Sequence, residues 1–300
     1  MADPSAFNPQ LLLSHKFPET TYTYTERDVA VYALGVGACG RYAIDTDELK
    51  YVYHEKGQQF IKVLPTFSTL FSLGSVPQDL IHVFSCMDNN TEVFKPLPSN
   101  VTIHNKVSLA GLHDKGKAAV LEIEIRSYEE GSGELLSLNR LSAFLRGAGG
   151  FSDPSQPFTY RDYPANQLSA IRVPEGPPYA VFEDCTQPSQ ALLYRLSGDY
   201  NPLHSDPMFA EVAGFPRPIL HGLCTLGFAV RAIIKRICRG DPDIIKTISG
   251  RFLLHVYPGE TLITEMWLQD LRVIYRVKAK DRNLAVLSGF VHLHGLAASL

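Results

Sequence analysis

Asp199 and His204 stand five residues apart in the stretch Ser197-Gly198-Asp199-Tyr200-Asn201-Pro202-Leu203-His204. A carboxylate and an imidazole held on one stiff bend can act as a general acid–base pair. The flanking residues supply the stiffness. Gln187 to Ser197 reads as a short helix, with Pro188 suited to a first position, Ala191, Leu192, Tyr194 and Leu196 apolar, and Gly198 as its C-terminal cap. Asp199-Tyr200-Asn201-Pro202 is turn chemistry, because Asn and Asp bond nearby backbone and the residue before a proline leaves the helical region. Ser205-Asp206-Pro207 then opens a second short helix, Met208 to Ala213, closed by Gly214. A lone Asp or His would more simply be a cap or a packed histidine; here they come as a set.

A second polar cluster follows. Pro218-Ile219-Leu220-His221-Gly222 leads into a long helix in which Leu223, Leu226, Val230, Ile233, Ile234 and Ile237 recur as one stripe, and Gly240-Asp241-Pro242 ends it. The amino terminus of this helix leaves backbone N–H groups free beside His221 and Gly222, where they can receive negative charge developing on an oxygen. Arg231, Lys235, Arg236 and Arg239 lie towards its carboxyl end and read as structural complements of the helix dipole.

Both stretches resemble the hydratase 2 family of MaoC-like hot-dog proteins, the (R)-specific enoyl-CoA hydratases of fungal and animal peroxisomal multifunctional enzymes and of separate plant proteins. The similarity runs over nearly the whole chain, including Asp114-Lys115-Gly116, Gly147-Ala148-Gly149-Gly150-Phe151, Arg251-Phe252 and Pro258-Gly259-Glu260. The resemblance implies an α+β chain of two hot-dog folds, each an antiparallel sheet wrapped around a long helix. It implies hydration of trans-2-enoyl-CoA to (3R)-3-hydroxyacyl-CoA in fatty-acid β-oxidation, with Asp199 as the base, His204 delivering a proton to carbon, and the N–H of Gly222 as the oxyanion donor. Lys115 is implied to hold the CoA part of the acyl-CoA thioester, Phe252 to touch substrate, and Tyr200, Asn201, Pro202 and Leu203 to complete the substrate site, although Asn201 more plainly fixes the turn. Neither a metal nor an organic cofactor is implied. Between Gly74 and Lys95 the chain departs from the family, which carries a longer segment with a His-Gly element there; this puts the first copy's share of the substrate site in question.

Composition agrees with a globular protein. Three hundred residues, 45% hydrophobic and 20% charged, suffice for two ordinary domains, and a net charge of −3 gives no hint of nucleic acid. No apolar run is long enough to span a membrane, and Met1-Ala2-Asp3-Pro4 lacks a basic and then apolar leader, so a reducing compartment is expected. The cysteines at 39, 86, 185, 224 and 238 are odd in number, without Cys-x-x-Cys spacing, and indicate neither a disulfide framework nor a zinc site. Asn89-Asn90-Thr91 and Asn100-Val101-Thr102 then match glycosylation sequons by chance.

The two halves read as diverged copies of one unit. Pro65-Thr66-Phe67-Ser68-Thr69-Leu70-Phe71-Ser72-Leu73-Gly74 aligns with Pro218 to Gly227, and Tyr32 and Leu34 with Tyr194 and Leu196, which sets Gly37 against Asp199 and Tyr42 against His204. The first copy therefore lacks the acid–base pair. Val29 to Leu34 followed by Gly35-Val36-Gly37-Ala38-Cys39-Gly40 mimics a dinucleotide fingerprint, but Arg41 to Leu49 is too short and too acidic for a crossover helix. Each copy ends in β-rich sequence: Val101 to Ala110, Ala118 to Tyr128 and Leu135 to Leu145, then Thr247 to Val256, Thr261 to Leu268, Val273 to Ala279 and Ala285 to Leu293. The Pro- and Gly-rich stretch 147–179 is a linker, dividing the chain into an N-terminal non-catalytic unit, 1–146, and a C-terminal catalytic unit, 180–300.

A hot-dog thioesterase usually keeps a carboxylate in or beside the central helix, whereas Leu223 to Arg239 contains none; a catalytically silent acyl-CoA-binding protein is the rival from another class. Ala298-Ser299-Leu300 ends like a relaxed Ser-Lys-Leu peroxisomal address, which implies an import receptor as partner. The residues leave open whether whole chains form a homodimer.

Overall fold

The computed structural model describes residues 9–72, 85–164 and 171–295. Its strands form one eleven-stranded sheet whose neighbouring pairs are all antiparallel. In chain order these are β1 (Thr20–Tyr24), β2 (Ser85–Val93), β3 (Val101–Asp114), β4 (Ala118–Glu129), β5 (Leu135–Arg146), β6 (Thr159–Arg161), β7 (Ala180–Cys185), β8 (Ile245–Phe252), β9 (Thr261–Gln269), β10 (Arg272–Ala279) and β11 (Leu284–Leu293). The path runs β1-β3-β4-β5-β2-β8-β11-β10-β9-β7, with β6 added to β3. Short turns join the meanders, and four of them use the left-handed backbone: Gly116 at φ +75, Gly131 and Gly133 at φ +96 and +69, Asp270 at φ +51 and Asn283 at φ +50.

The seam between the halves is β2 against β8, with Asn90 opposite Ser249 and Thr91 opposite Ile248. Part of the segment that departs from the family is therefore a central strand, while 73–84 lie outside the described residues. Sequence reading finds no strand there because Asp88-Asn89-Asn90-Thr91 is polar. Tertiary partners explain the polarity: Thr91 Oγ1 donates to Asn139 Oδ1 at 2.7 Å, Asn139 Nδ2 donates to the Ser68 carbonyl at 2.8 Å, and Arg251 Nε donates to Asp88 at 2.8 Å. Asn89, 0% exposed, cannot be a glycosylation site.

The helix Gly222–Arg236 is the hub. Its predicted stripe faces the second unit's sheet, yet Phe228, Ala229 and Ala232 on other faces are buried as well. The first unit covers them, through the helix Glu26–Gly35 with the turn after it and through Pro65–Ser72. Gly227 has no side chain because Val36 occupies that space. In the first unit the matching stretch Pro65–Ser72 is a 3₁₀ helix, and its continuation lies outside the described residues. Val29 to Leu34, the strand-like start of the dinucleotide mimic, lies in the helix Glu26–Gly35, and no parallel pair occurs among the described strands.

The linker is anchored rather than loose. The Asp114 carboxylate accepts from Gly116 N (2.8 Å), Gly150 N (2.8 Å), Ser152 N (2.9 Å) and Ser152 Oγ (2.7 Å), which fastens 147–152 to the β3–β4 turn. Burial alone would raise this carboxyl's pKa; the four donors outweigh it and hold the group below the usual carboxylate range. Cys39, Cys185, Cys224 and Cys238 are free thiols. Among the described residues no helix is long and apolar enough to cross a membrane.

Candidate active site

The helix ahead of the site is shorter than the sequence suggests: Gln190–Tyr194 is α-helical and Arg195–Ser197 tightens to 3₁₀ before Gly198 turns at φ +121. Asp199 Oδ1 then accepts from Asn201 N at 3.2 Å, and Asn201 Oδ1 accepts from Leu203 N at 3.0 Å, so two Asx bonds in succession wind Pro202–His204 into a 3₁₀ turn. Asp206 caps the next helix, Pro207–Val212, by accepting from Met208 N at 2.8 Å. Asn201 thus fixes the turn, and Tyr200 points to solvent at 57% exposure with Arg195 over its ring.

His204 is buried, and its Nδ1 donates to the Ile219 carbonyl at 2.8 Å. A carbonyl only accepts, so this bond assigns the proton to Nδ1 and leaves Nε2 with a bare lone pair in the neutral ring. Burial pushes the imidazole's pKa down; the Asp199 carboxylate and the Ile219 carbonyl only partly offset that. One carboxylate oxygen of Asp199 and one ring nitrogen each of His204 and His221 lie within 4.8 Å of one another.

The sequence places His221 in the second polar cluster but gives it no role. It precedes the central helix, stacks on His204 with ring centroids 3.7 Å apart and planes 29° apart, and donates from Nε2 to the Asp199 carbonyl at 3.2 Å. Only its place beside Gly222 in the chain hinted at a role. The trio is an awkward metal site: lone pairs lie in the ring planes, and near-parallel stacked rings do not converge on one ion at about 2.0–2.1 Å.

Gly222 opens the central helix, and His221 offers no side-chain cap to it. A Cβ on Gly222 would lie 3.0 Å from the Phe252 ring, so glycine is what lets Phe252 pack over the helix start. Asp199, His204, Gly222 and Phe252 are therefore brought together by the turn, the helix start and the end of β8. Lys115 is exposed in the β3–β4 turn, and β4, β5 and β2 lie between that turn and β8 in the sheet order.

The first unit cannot mirror the pair. Gly37, set against Asp199 by the internal alignment, has φ +83, and a Cβ there would lie 2.5 Å from the Phe228 ring and 3.1 Å from the Arg231 guanidinium. That guanidinium is buried, pairs with Glu48 and Asp184, and donates from Nε to the Val36 carbonyl at 3.0 Å. Tyr42, set against His204, is 62% exposed.

A family model described as MFE-2 hydratase 2 N-terminal domain matches residues 22–147, and one described as MaoC like domain matches residues 170–289. The chain is 64% identical to an Arabidopsis thaliana protein named enoyl-CoA hydratase 2, peroxisomal, over 99% of this chain and 98% of that protein. The chain belongs to the enoyl-CoA hydratase 2 family.

Solved structures agree with a hydratase 2 fold. A MaoC-like dehydratase from Phytophthora capsici superposes with a TM-score of 0.83 at 29% identity, covering 97% of this chain and 100% of that one. The full-length peroxisomal multifunctional enzyme type 2 of Drosophila melanogaster gives a TM-score of 0.80 at 32% identity, covering 92% of this chain and 48% of that one. The fold is α+β, with two hot-dog units in one chain as the hydratase 2 resemblance implies.

Proposed function

We propose that this protein is a peroxisomal (3R)-specific enoyl-CoA hydratase, a hydro-lyase adding water reversibly to trans-2-enoyl-CoA in fatty-acid β-oxidation. The observation that carries the reading is the approach of Asp199 and His204 beside the bare helix start at Gly222. The 64% identity to a protein named enoyl-CoA hydratase 2 supports it.

In this reading one water sits between the Asp199 carboxylate and Nε2 of His204, giving a hydrogen to each and directing a lone pair at C3 of the substrate. Attack pushes charge onto the thioester oxygen, which the N–H of Gly222 receives with the aid of the helix dipole. One proton leaves the water and one must reach C2. The roles read from the sequence, Asp199 as base and His204 as donor, need one refinement. Because His204 rests neutral with Nδ1 committed to Ile219, the proton it delivers to C2 is one it first takes up from the water, while Asp199 holds the remaining hydrogen and offsets the imidazolium charge. Phe252 packs beside the reacting carbons, Tyr200, Asn201, Pro202 and Leu203 shape the turn, and Lys115 meets the CoA part at the β3–β4 turn.

The unit boundaries belong to the same proposal: a non-catalytic unit 1–146, a linker 147–179 and a catalytic unit 180–300. So do two partners. Ala298-Ser299-Leu300 lies outside the described residues, and a reporter fused ahead of the last ten residues tests whether the import receptor takes it. Light scattering at twice the 33.3 kDa of one chain would support a homodimer.

The deciding experiment is turnover of short- and long-chain trans-2-enoyl-CoA by purified protein, with chiral analysis of the product. An R product is expected. An S product would reject the reading, and calorimetric binding without turnover would favour a silent acyl-CoA-binding protein. Release of free CoA would favour a thioesterase, which the absence of Asp and Glu from the helix Gly222–Arg236 speaks against.

A further inference from the structure

We infer that His221 is a positioning residue for both members of the catalytic pair, holding Asp199 by its backbone carbonyl and His204 by the face of its ring. The inference rests on the hydratase reading above.

Four observations lead to it. His221 occupies the cap position of the central helix, where Ser, Thr, Asp or Asn would satisfy an N–H, yet its side chain caps nothing. It is 1% exposed, and its Nδ1 is buried without a hydrogen-bond partner, a cost that packing alone would remove with an apolar residue. Its one polar bond, Nε2 to the carbonyl of Asp199, fixes the backbone from which the carboxylate projects. Its ring lies 3.7 Å from that of His204, so the plane of His204 is set between the Ile219 carbonyl on one edge and this stack on one face.

The electrostatics suit a neutral backing plate. The groups facing the stacked pair are the Asp199 carboxylate from the turn, Arg195 and the Tyr194 ring from the preceding helix, whose centroid lies 4.8 Å from that of His221, and the Ile219 carbonyl. Burial foremost, then His204 and Arg195, depress the basicity of His221 far more than its bond to Asp199 restores it. When His204 takes up a proton, the charge stays on the ring beside Asp199, and the face of a neutral aromatic ring lies against that cation.

Two variants separate the functions. His221→Phe keeps an aromatic plate and removes the donor; His221→Asn keeps a short donor and removes the plate. Each is compared with wild type for kcat, KM and the pH profile, and the titration of His204 is followed by NMR of histidine-labelled protein, with circular dichroism to confirm folding. In His221→Phe we expect kcat to fall about 10- to 100-fold, KM to change little and the His204 titration to stay put. In His221→Asn we expect a similar loss of kcat, with His204 titrating closer to the ordinary histidine value and the acid limb of the pH profile moving up with it. Folded variants with wild-type kcat and an unmoved limb would overturn the inference, as would activity lost only in proportion to folded protein. Inactive wild type would instead reject the hydratase reading, whereas the His204 titration needs no turnover and still reports on His221.

Discussion

The rings of Tyr32 and Tyr194, residues that the internal alignment sets against each other, meet across the junction of the two units with centroids 6.0 Å apart. Around them Gln190 Nε2 donates to the Gly35 carbonyl at 2.7 Å, and the Gly35 backbone lies against Tyr194. Two diverged copies thus pack on one another as an internal pair, but only the second has an Asp and a His at the matched positions. The other has spent the matching space on contacts with the central helix.

Asp199→Asn and His204→Gln should each lower kcat by about 10²–10⁴-fold, the usual worth of a positioned acid or base. In the proposed mechanism both grip one water, so the double variant should fall well short of the product of the two losses. Single-turnover assays on purified variants check this; near-normal turnover in either would break the shared-water mechanism.

The pH dependence has a definite sign. His204 accepts through Nε2 only when neutral, and burial places its folded pKa below the ordinary value of ~6.5, so kcat/KM should hold through neutrality and fall as pH drops through that lowered pKa. Stability should follow in the same direction. His204 and His221 both have depressed folded pKa values, so below about 6.5 the unfolded chain binds more protons and stability is lost as pH falls towards the folded values. Urea midpoints at several pH values measure the slope, which should be shallower in His221→Phe.

Gly222→Ala keeps the N–H that would serve as oxyanion donor, yet its methyl would press on the Phe252 ring at 3.0–3.1 Å. A displaced ring and helix start should cost about 10- to 100-fold in kcat. Adding Phe252→Leu, which removes the obstructing ring, should recover part of the loss at the expense of KM. Steady-state kinetics of the two variants decide it; no recovery would mean that the defect lies in the helix start itself.

Arg231→Ala should be among the most destabilising single changes. Arg231 is 3% exposed and Glu48 4%, and truncation would leave the buried Glu48 with only the Lys235 ammonium, 3.6 Å away, and the half-buried Asp184 without its cation. A loss of about 3–5 kcal/mol is expected, read from chemical denaturation. Arg231→Met with Glu48→Gln and Asp184→Asn should cost less, because the uncompensated charge goes with the cation.

By itself the sequence determined the bend and the repeat, because both are written in local chemistry. Gly198, Asn201 and Pro202 dictate a turn wherever they sit, Gly214 and Gly240 end helices through their backbone freedom, and the runs of β3–β5 and β8–β11 declare two antiparallel meanders, which the structure joins into one sheet. The bond from Gly150 N to Asp114 also joins two stretches that carry the family resemblance, which the sequence does not show to be one structure. Tertiary structure alone decided the rest. The polar run Asp88 to Thr91 becomes the central strand of the seam because Asn139 and Arg251 satisfy it. The central helix is buried on more than its stripe because the first unit covers it, and His221 joins the site because a helix start and a turn separated by a further helix are folded face to face. Periodicity and turn propensity act over a few neighbours; burial, stacking and the depressed basicity of His204 depend on which distant surfaces exclude water together, and that is fixed only when the two units close on the helix.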